Sequence, residues 1–221
     1  MLLEGQPASG SSEVVTQQGP AAFVYVVDDE PFVRSFLTRL LTSNGYHTAG
    51  FSSADELLER DLASVPGCVL LDLVLPGLGG LEIQRVLQER ASHLSIIFMS
   101  GRGTVPLSVE AMKNGAMDFF TKPLDTQKLL HAIDRALERS SAAFVTRVQD
   151  AVLEERARSL SPRQAQVIRL VALGRLNKQI ATELEILEKT VKVHRARAMR
   201  KLGVKSVAEL VRLADRFRLS P

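Results

Sequence analysis

Three continuous apolar runs constrain the fold of this chain more than any other feature of its sequence. They occupy residues 22–27, 68–71 and 95–99, and an amphipathic stretch with helical spacing follows each of them. Shorter strand patterns lie at residues 47–51 and 118–121. Strands without polar alternation are typical of parallel sheets that helices cover on both faces. The pattern therefore predicts an α/β domain with a doubly wound, five-stranded parallel sheet of the flavodoxin-like type.

The final third of the chain has a purely helical pattern. Ser161 and Gln164 have the spacing of a capping box, and Pro162 suits the first helical position. Three further helical stretches follow at residues 177–184, 188–202 and 207–217. Four short helices with short connections predict a small all-α domain.

Charge divides the chain in a similar place. Residues 1–144 contain 11 basic and 17 acidic residues, a formal net charge of −6, and residues 145–221 contain 17 and 8, a charge of +9. A basic domain behind an acidic one indicates a nucleic acid or an anionic membrane surface as a partner.

Composition excludes several other classes of protein. The single cysteine, Cys68, excludes an intramolecular disulfide and a cysteine-based zinc site. No apolar run reaches the roughly 18 residues that a membrane span needs. The N-terminus lacks the pattern of a secretory signal, so we expect a cytoplasmic protein.

Together these patterns predict four segments. Residues 1–21, rich in Gly, Ser, Gln and Pro, are expected to form a flexible tail. We place the α/β domain at residues 22–140, a helical or partly helical linker at residues 141–158, and the helical domain at residues 159–221.

Polar residues stand where the predicted strands end: Asp28, Asp29, Asp72, Ser100 and Lys122. In a parallel sheet these carboxyl ends lie at one edge. Converging carboxylates repel one another unless a cation lies between them, and Mg²⁺ prefers oxygen ligands. A carboxylate beside Mg²⁺ and a lysine can attack a phosphoryl group. Asp72 is the best nucleophile because it stands alone on the central strand, and Ser100 can donate to a phosphoryl oxygen.

The same residues lie in motifs that resemble those of a known family. The chain resembles the two-component response regulators of the FixJ/NarL type. Val26–Glu30 is similar to their acidic-pair motif and Leu71–Gly80 to their phosphoacceptor loop, and Ser100–Gly101 and Lys122–Pro123 complete the set. The resemblance implies that Asp72 accepts a phosphoryl group from a sensor histidine kinase. It also implies that Mg²⁺ is held by Asp28, Asp29, Asp72 and the main-chain carbonyl of Val74.

The resemblance further implies a switch and additional partners. Ser100 and Phe119 occupy the positions of the hydroxyl and aromatic residues that rearrange on phosphorylation. A homodimer is expected on activation, and RNA polymerase is a further candidate partner.

Residues 174–181 and 189–195 resemble the helix-turn-helix of LuxR-type DNA-binding domains. On the helix predicted over 188–202, one stripe suits packing: Val191, Ala198 and Leu202. A second stripe carries the basic, small and apolar side chains that a major-groove surface needs: Lys189, Lys192, Val193, Ala196 and Arg200. We expect Lys192 and Val193 to contact bases. Phosphate contacts are expected from Lys178, Thr190, His194 and Lys201.

Two residues depart from the LuxR-type pattern. Gln164 stands where the first helix usually has a glutamate, so the capping box keeps its hydrogen bonds but loses its charge. Leu187 stands where the recognition helix usually has a Ser or Thr cap, and losing a cap costs about 0.5–2 kcal/mol. We expect this helix either to begin late or to depend on Glu188 and the helix dipole.

The sequence thus predicts a phosphorylation-controlled transcriptional regulator that binds double-stranded promoter DNA and is not an enzyme. The main alternative is a hydrolase with an aspartate nucleophile. Such phosphatases carry a second aspartate two residues later as acid and base, where this chain has Val74. A third interpretation is a constitutive DNA-binding protein whose acidic domain is only a dimer scaffold, and the intact set of carboxylates argues against it.

Overall fold

The computed structural model describes residues 21–101 and 105–216, with the main chain alone for residues 215 and 216. The chain forms two compact units that divide between Phe144 and Val145. The tail predicted at residues 1–21 lies outside the described residues, apart from Ala21.

Strands and helices alternate in the first unit. The strands are β1 (Phe23–Val27), β2 (His47–Phe51), β3 (Gly67–Asp72), β4 (Ser95–Ser100) and β5 (Asp118–Thr121). The helices are α1 (Pro31–Ser43), α2 (Ala54–Leu58), α3 (Gly80–Arg90), α4 (Val105–Lys113) and α5 (Thr126–Arg158), of which residues 126–144 belong to this unit.

The five strands form one parallel sheet in the order β2-β1-β3-β4-β5, which confirms the predicted doubly wound α/β fold. Every residue of β3 and β4 is buried because both faces of the sheet are covered. Leu71 and Phe98 belong to the core on one face, and Leu70 and Ile97 belong to the core on the other. The strand order reverses at β1 and β3, so their carboxyl ends border the crevice where such sheets bind ligands.

Helix α5 runs from Thr126 to Arg158 without a break, so the segment at residues 141–158, expected to be a helical or partly helical linker, is helical throughout. Two contacts fix the middle of this helix within the first unit. The N–H of Gly67 donates to Oγ of Ser140 at 2.8 Å, and the ring of Phe144 lies 5.2 Å from that of His93. The Ala, Arg and Glu residues that follow are strong helix formers, so nothing local ends the helix earlier.

The second unit contains α6 (Pro162–Ala172), α7 (Asn177–Glu183), α8 (Glu188–Leu202) and α9 (Val207–Arg216). These are the four predicted helices, except that α7 ends one residue earlier than expected and residue 217 lies outside the described chain. The capping box is present, because Oγ of Ser161 accepts from the N–H of Gln164 at 3.3 Å and Oε1 of Gln164 accepts from the N–H of Ser161 at 3.0 Å. Apolar side chains of all four helices form one core: Val167, Ile180, Val191 and Leu210.

Across residues 21–101 and 105–216, no helix combines the length and apolarity that crossing a bilayer demands.

Candidate functional site

The carboxyl ends of β1 and β3 bring Asp28, Asp29 and Asp72 together, as the strand pattern predicts. One carboxylate oxygen from each lies within 4.8 Å of the other two. Asp28 and Asp72 are buried and Asp29 is exposed. Two of the three carboxylates are therefore enclosed by the protein, and the third faces solvent.

Lys122 reaches this cluster from the end of β5. Its Nζ lies 2.8 Å from Oδ2 of Asp28, 2.6 Å from Oδ2 of Asp72 and 3.5 Å from Oε1 of Glu30. The N–H of Lys122 donates to the carbonyl of Ser100 at 2.9 Å, so the pairing of β5 with β4 continues to the lysine. The sheet thus sets where this ammonium group lies.

The charges in this cluster are strongly coupled. Burial raises the pKa of Asp28 above its usual value, and the hydrogen bond from Lys122 offsets only part of that effect. Burial acts to lower the pKa of Lys122, but its hydrogen bonds to Asp28 and Asp72 dominate and raise that pKa above its usual value. Lys122 is therefore a permanent positive charge at neutral pH.

Main-chain groups orient the two buried carboxylates. Oδ1 of Asp28 accepts from the N–H of Glu30 at 3.0 Å, and Oδ1 of Asp72 accepts from the N–H of Val74 at 2.9 Å. An open cleft of about 280 Å³ lies over them, lined by Asp29, Glu30, Asp72, Val74, Gly101 and Lys122. Three carboxylates beside a loop that also lines the cleft form a donor set that fits a hard divalent cation.

Ser100 and Phe119 lie on the neighbouring strands β4 and β5. Ser100 is fully buried at the end of β4, directly after Met99, which pairs with Asp72. Phe119 on β5 is partly buried, with its ring centroid 6.3 Å from that of Phe98 in the core. The structure therefore places the serine directly before Gly101, which lines the cleft, and the aromatic ring one strand farther along the sheet.

The two stripes predicted on α8 differ in exposure as expected. The packing stripe is buried: Val191, Ala198 and Leu202. The second stripe is exposed at every position: Lys189, Lys192, Val193, Ala196 and Arg200. Lys178 on α7 is exposed as well. The second unit thus presents a basic helical surface that also carries small and apolar side chains.

The other residues expected to contact phosphates are half-buried or already hydrogen-bonded. Thr190 and His194 are half-buried, and Nδ1 of His194 is buried without a hydrogen-bond partner among the described residues. Lys201 is exposed, but its Nζ donates to the carbonyl of Ser159 at 2.7 Å. An ammonium group has three N–H donors, so this bond does not prevent Lys201 from contacting a phosphate.

Helix α8 begins at Glu188 and so does not begin late. Leu187 occupies the N-cap position and provides no side-chain hydrogen bond, as the sequence predicts. Glu188 instead pairs with Lys192 one turn later, at 3.1 Å.

Sequence reasoning missed two arginines that join the helices of this unit. Nη1 of Arg195 donates to Oδ1 of Asn177 at 3.2 Å, which links α8 to α7. Arg163 of α6 donates to the carbonyl of Leu184 at the end of α7. Helical spacing describes contacts within one helix, so it gives no signal for either pair.

Profiles of two protein families match this chain. Residues 24–134 match the response regulator receiver domain, and residues 158–214 match the bacterial regulatory proteins of the luxR family. Nodulation protein W of Bradyrhizobium diazoefficiens is 40% identical over 205 residues, which cover 93% of this chain and 90% of that protein. Response regulator protein TodT of Pseudomonas putida is 43% identical over 203 residues, covering 90% and 87%.

The low-resolution structure of the response regulator StyR is similar in fold as well. It matches with a TM-score of 0.76 and 40% identity, covering 89% of this chain and 99% of that one. Both domains, in the same order, are therefore present in relatives across nearly the whole chain. The chain belongs to the two-component response regulators that join a receiver domain to a LuxR-type DNA-binding domain, and it is a phosphorylation-controlled transcriptional regulator.

Proposed function

We propose that Asp72 is the residue that accepts the phosphoryl group. The observation that carries this assignment is the position of Lys122, whose Nζ contacts Oδ2 of both Asp28 and Asp72. Asp72 lines the open cleft, whereas Asp28 is fully buried, so an incoming phosphoryl group reaches Asp72 first.

The transfer needs one bond to form and one to break. A carboxylate oxygen of Asp72 bonds to phosphorus, while the bond between phosphorus and an imidazole nitrogen of the histidine kinase breaks. Lys122 remains beside the negative charge that spreads over the phosphoryl oxygens. Ser100, directly before Gly101 of the cleft lining, supplies a hydroxyl for one of these oxygens.

Asp28, Asp29, Asp72 and the main-chain carbonyl of Val74 would hold Mg²⁺. When bound, this ion neutralises part of the negative charge on the phosphoryl group and on the cluster itself. The N–H groups of Glu30 and Val74 hold the buried carboxylates in place before any ion arrives.

Promoter DNA is read through the exposed stripe of α8. Its side chains combine positive charge with small apolar groups, and the unit that carries them has a formal charge of +9. We assign Lys192 and Val193 to base edges. Phosphates are assigned to the residues around them: Lys178, Lys189, Thr190, His194, Arg200 and Lys201.

This chain receives a phosphoryl group rather than acting as an enzyme. A hydrolase would need an acid or base close to the acyl phosphate, and the position two residues after Asp72 is Val74. The partners are a sensor histidine kinase, promoter DNA, a second copy of the chain on activation, and RNA polymerase. A regulator of promoters acts where the bacterial chromosome is, in the cytoplasm.

Acetyl phosphate with Mg²⁺ tests the assignment of Asp72. We expect intact-mass spectrometry to show one acid-labile phosphoryl group on the wild type and none on Asp72→Asn. Asp55→Asn is the matched control, because Asp55 is an exposed aspartate in α2. Adduct formation at the wild-type rate in Asp72→Asn would contradict the assignment. Fast turnover of acetyl phosphate without an adduct would favour the hydrolase.

A further inference from the structure

Arg34, in the first turn of α1, contacts the main chain that carries the acidic pair. Its Nη1 donates to the carbonyl of Asp28 at 2.6 Å and approaches the carbonyl of Asp29 at 3.4 Å. Hydrogen bonds from a charged donor are roughly twice as strong as neutral ones. One guanidinium group thus engages the main chain of both residues.

The remaining polar groups of Asp28 are also engaged. Its N–H donates to the carbonyl of Phe51 at 3.2 Å, and its carboxylate accepts from Glu30 at 3.0 Å and from Lys122 at 2.8 Å. The contact with Arg34 completes this set. The main chain of Asp28 is therefore fixed from β2 and α1, and its carboxylate is fixed from the loop and β5.

Gly50 on β2 provides the space that Arg34 occupies. A Cβ atom at this position would lie 3.1 Å from Cγ of Arg34 and 3.2 Å from Oγ1 of Thr38, closer than ordinary van der Waals contact. Gly50 is not among the glycines with positive φ, so its backbone conformation does not require glycine. The absence of a side chain at Gly50 is instead explained by the stem of Arg34.

We propose that Arg34 is a positioning residue for the divalent cation. By fixing the main chain of Asp28 and Asp29, it sets the separation of two carboxylates that would otherwise repel each other. Groups that orient metal-ligating carboxylates typically change metal affinity about 10–100-fold when removed. This inference rests on the proposed Mg²⁺ site.

Binding of Mn²⁺ to the full chain tests the proposal without any phosphorylation. Mn²⁺ takes the same hard oxygen ligands as Mg²⁺, and the electron paramagnetic resonance signal of the free ion disappears on binding. Arg34→Met keeps the stem over Gly50 and removes the donors. We expect its Kd for Mn²⁺ to rise about tenfold, with the same rise for Mg²⁺ in competition. The matched control is Arg39→Met, which removes an exposed arginine from the same helix and should leave the Kd unchanged.

A second variant separates positioning from folding. Gly50→Ala keeps Arg34 and displaces its stem, so we expect a weaker affinity again, with thermal unfolding in metal-free buffer close to that of the wild type. Wild-type affinity in Gly50→Ala and Arg34→Met would overturn the inference, as would an equal loss in Arg39→Met. If the wild type itself fails to bind Mn²⁺, or Asp29→Asn binds equally well, it is the proposed cation site that fails.

Discussion

Nζ of Lys122 lies 2.6 Å from Oδ2 of Asp72, so the proposed nucleophile is already paired with a cation. The two residues are 50 positions apart and come from strands that are not neighbours in the sheet. Only 16% of the lysine side chain is exposed, so water and salt screen this pair less than they screen a surface pair.

Replacing Lys122 by Met should slow phosphorylation of Asp72 by acetyl phosphate about 100-fold or more. Removing one preorganised donor from a site of developing negative charge costs roughly 10²–10³ in rate. The rate is measured by intact mass against time. Lys128→Met, which removes an exposed lysine from α5, should match the wild type. An unchanged rate in Lys122→Met would remove this residue from the transfer.

Lys192→Ala should weaken binding to the specific promoter by about 1–3 kcal/mol if the side chain reads a base. The ion pair with Glu188 at 3.1 Å is exposed and so opposes DNA binding little. Lys178→Ala should instead weaken binding to all DNA sequences alike and reduce the salt dependence of that binding. Titrations on specific and random DNA at several salt concentrations measure both effects, with Lys205→Ala as a control. Equal losses on both DNAs for Lys192→Ala would make it a phosphate contact.

Leu187→Ser should stabilise α8, because the leucine at the N-cap accepts no hydrogen bond. A serine there can accept from the first-turn N–H groups, a gain of about 1 kcal/mol. Hydrogen exchange of the α8 amides in the full chain measures the change, which should slow exchange about fivefold. The control is Leu173→Ser, an exposed leucine at the C-terminal end of α6. Equal protection in both variants would show that the cap is not the cause.

Tyr46 should ionise about two pH units above an ordinary tyrosine. Burial and its hydrogen bond to Oδ1 of Asp134 raise the pKa of Tyr46 from 10.0 to about 12. Because the folded pKa is the higher one, this contact stabilises the fold below pH 10 and loses that contribution between pH 10 and 12. Tyrosinate absorbance of wild type and Tyr46→Phe isolates this group, since the chain has two tyrosines and no tryptophan. A midpoint near 10 while circular dichroism still shows the native fold would contradict the prediction.

Activation should convert the chain from monomer to dimer at micromolar concentration. Beryllofluoride with Mg²⁺ substitutes for the phosphoryl group, and a hundredfold change in dimer affinity requires about 2.7 kcal/mol. We expect Phe119→Ala to block the change while leaving phosphorylation intact, because its ring packs beside Phe98 of β4 and lies on β5, which contacts α4. Sedimentation velocity on both forms measures the mass. An unchanged distribution on activation would favour release of the DNA-binding domain instead.

The sequence by itself determined the strands and helices of this protein and the strand ends at which its functional residues lie. The strands β2 and β5 and the helix α8 have the bounds that hydrophobic period and end signals predict. The capping box at Ser161 and the missing cap at Leu187 were predicted as well. All of these depend on interactions within a few residues, which a local pattern contains.

Tertiary structure decided which distant groups meet. The contact of Lys122 with Asp28 and Asp72 needs the strand order β1-β3-β4-β5, and the contact of Arg34 with the acidic pair needs β2 beside α1 with glycine at residue 50. The bond from Arg195 to Asn177 likewise needs the packing of α8 on α7. Each pair spans two elements whose separation is set by how their apolar faces pack, and no spacing along the chain specifies that distance.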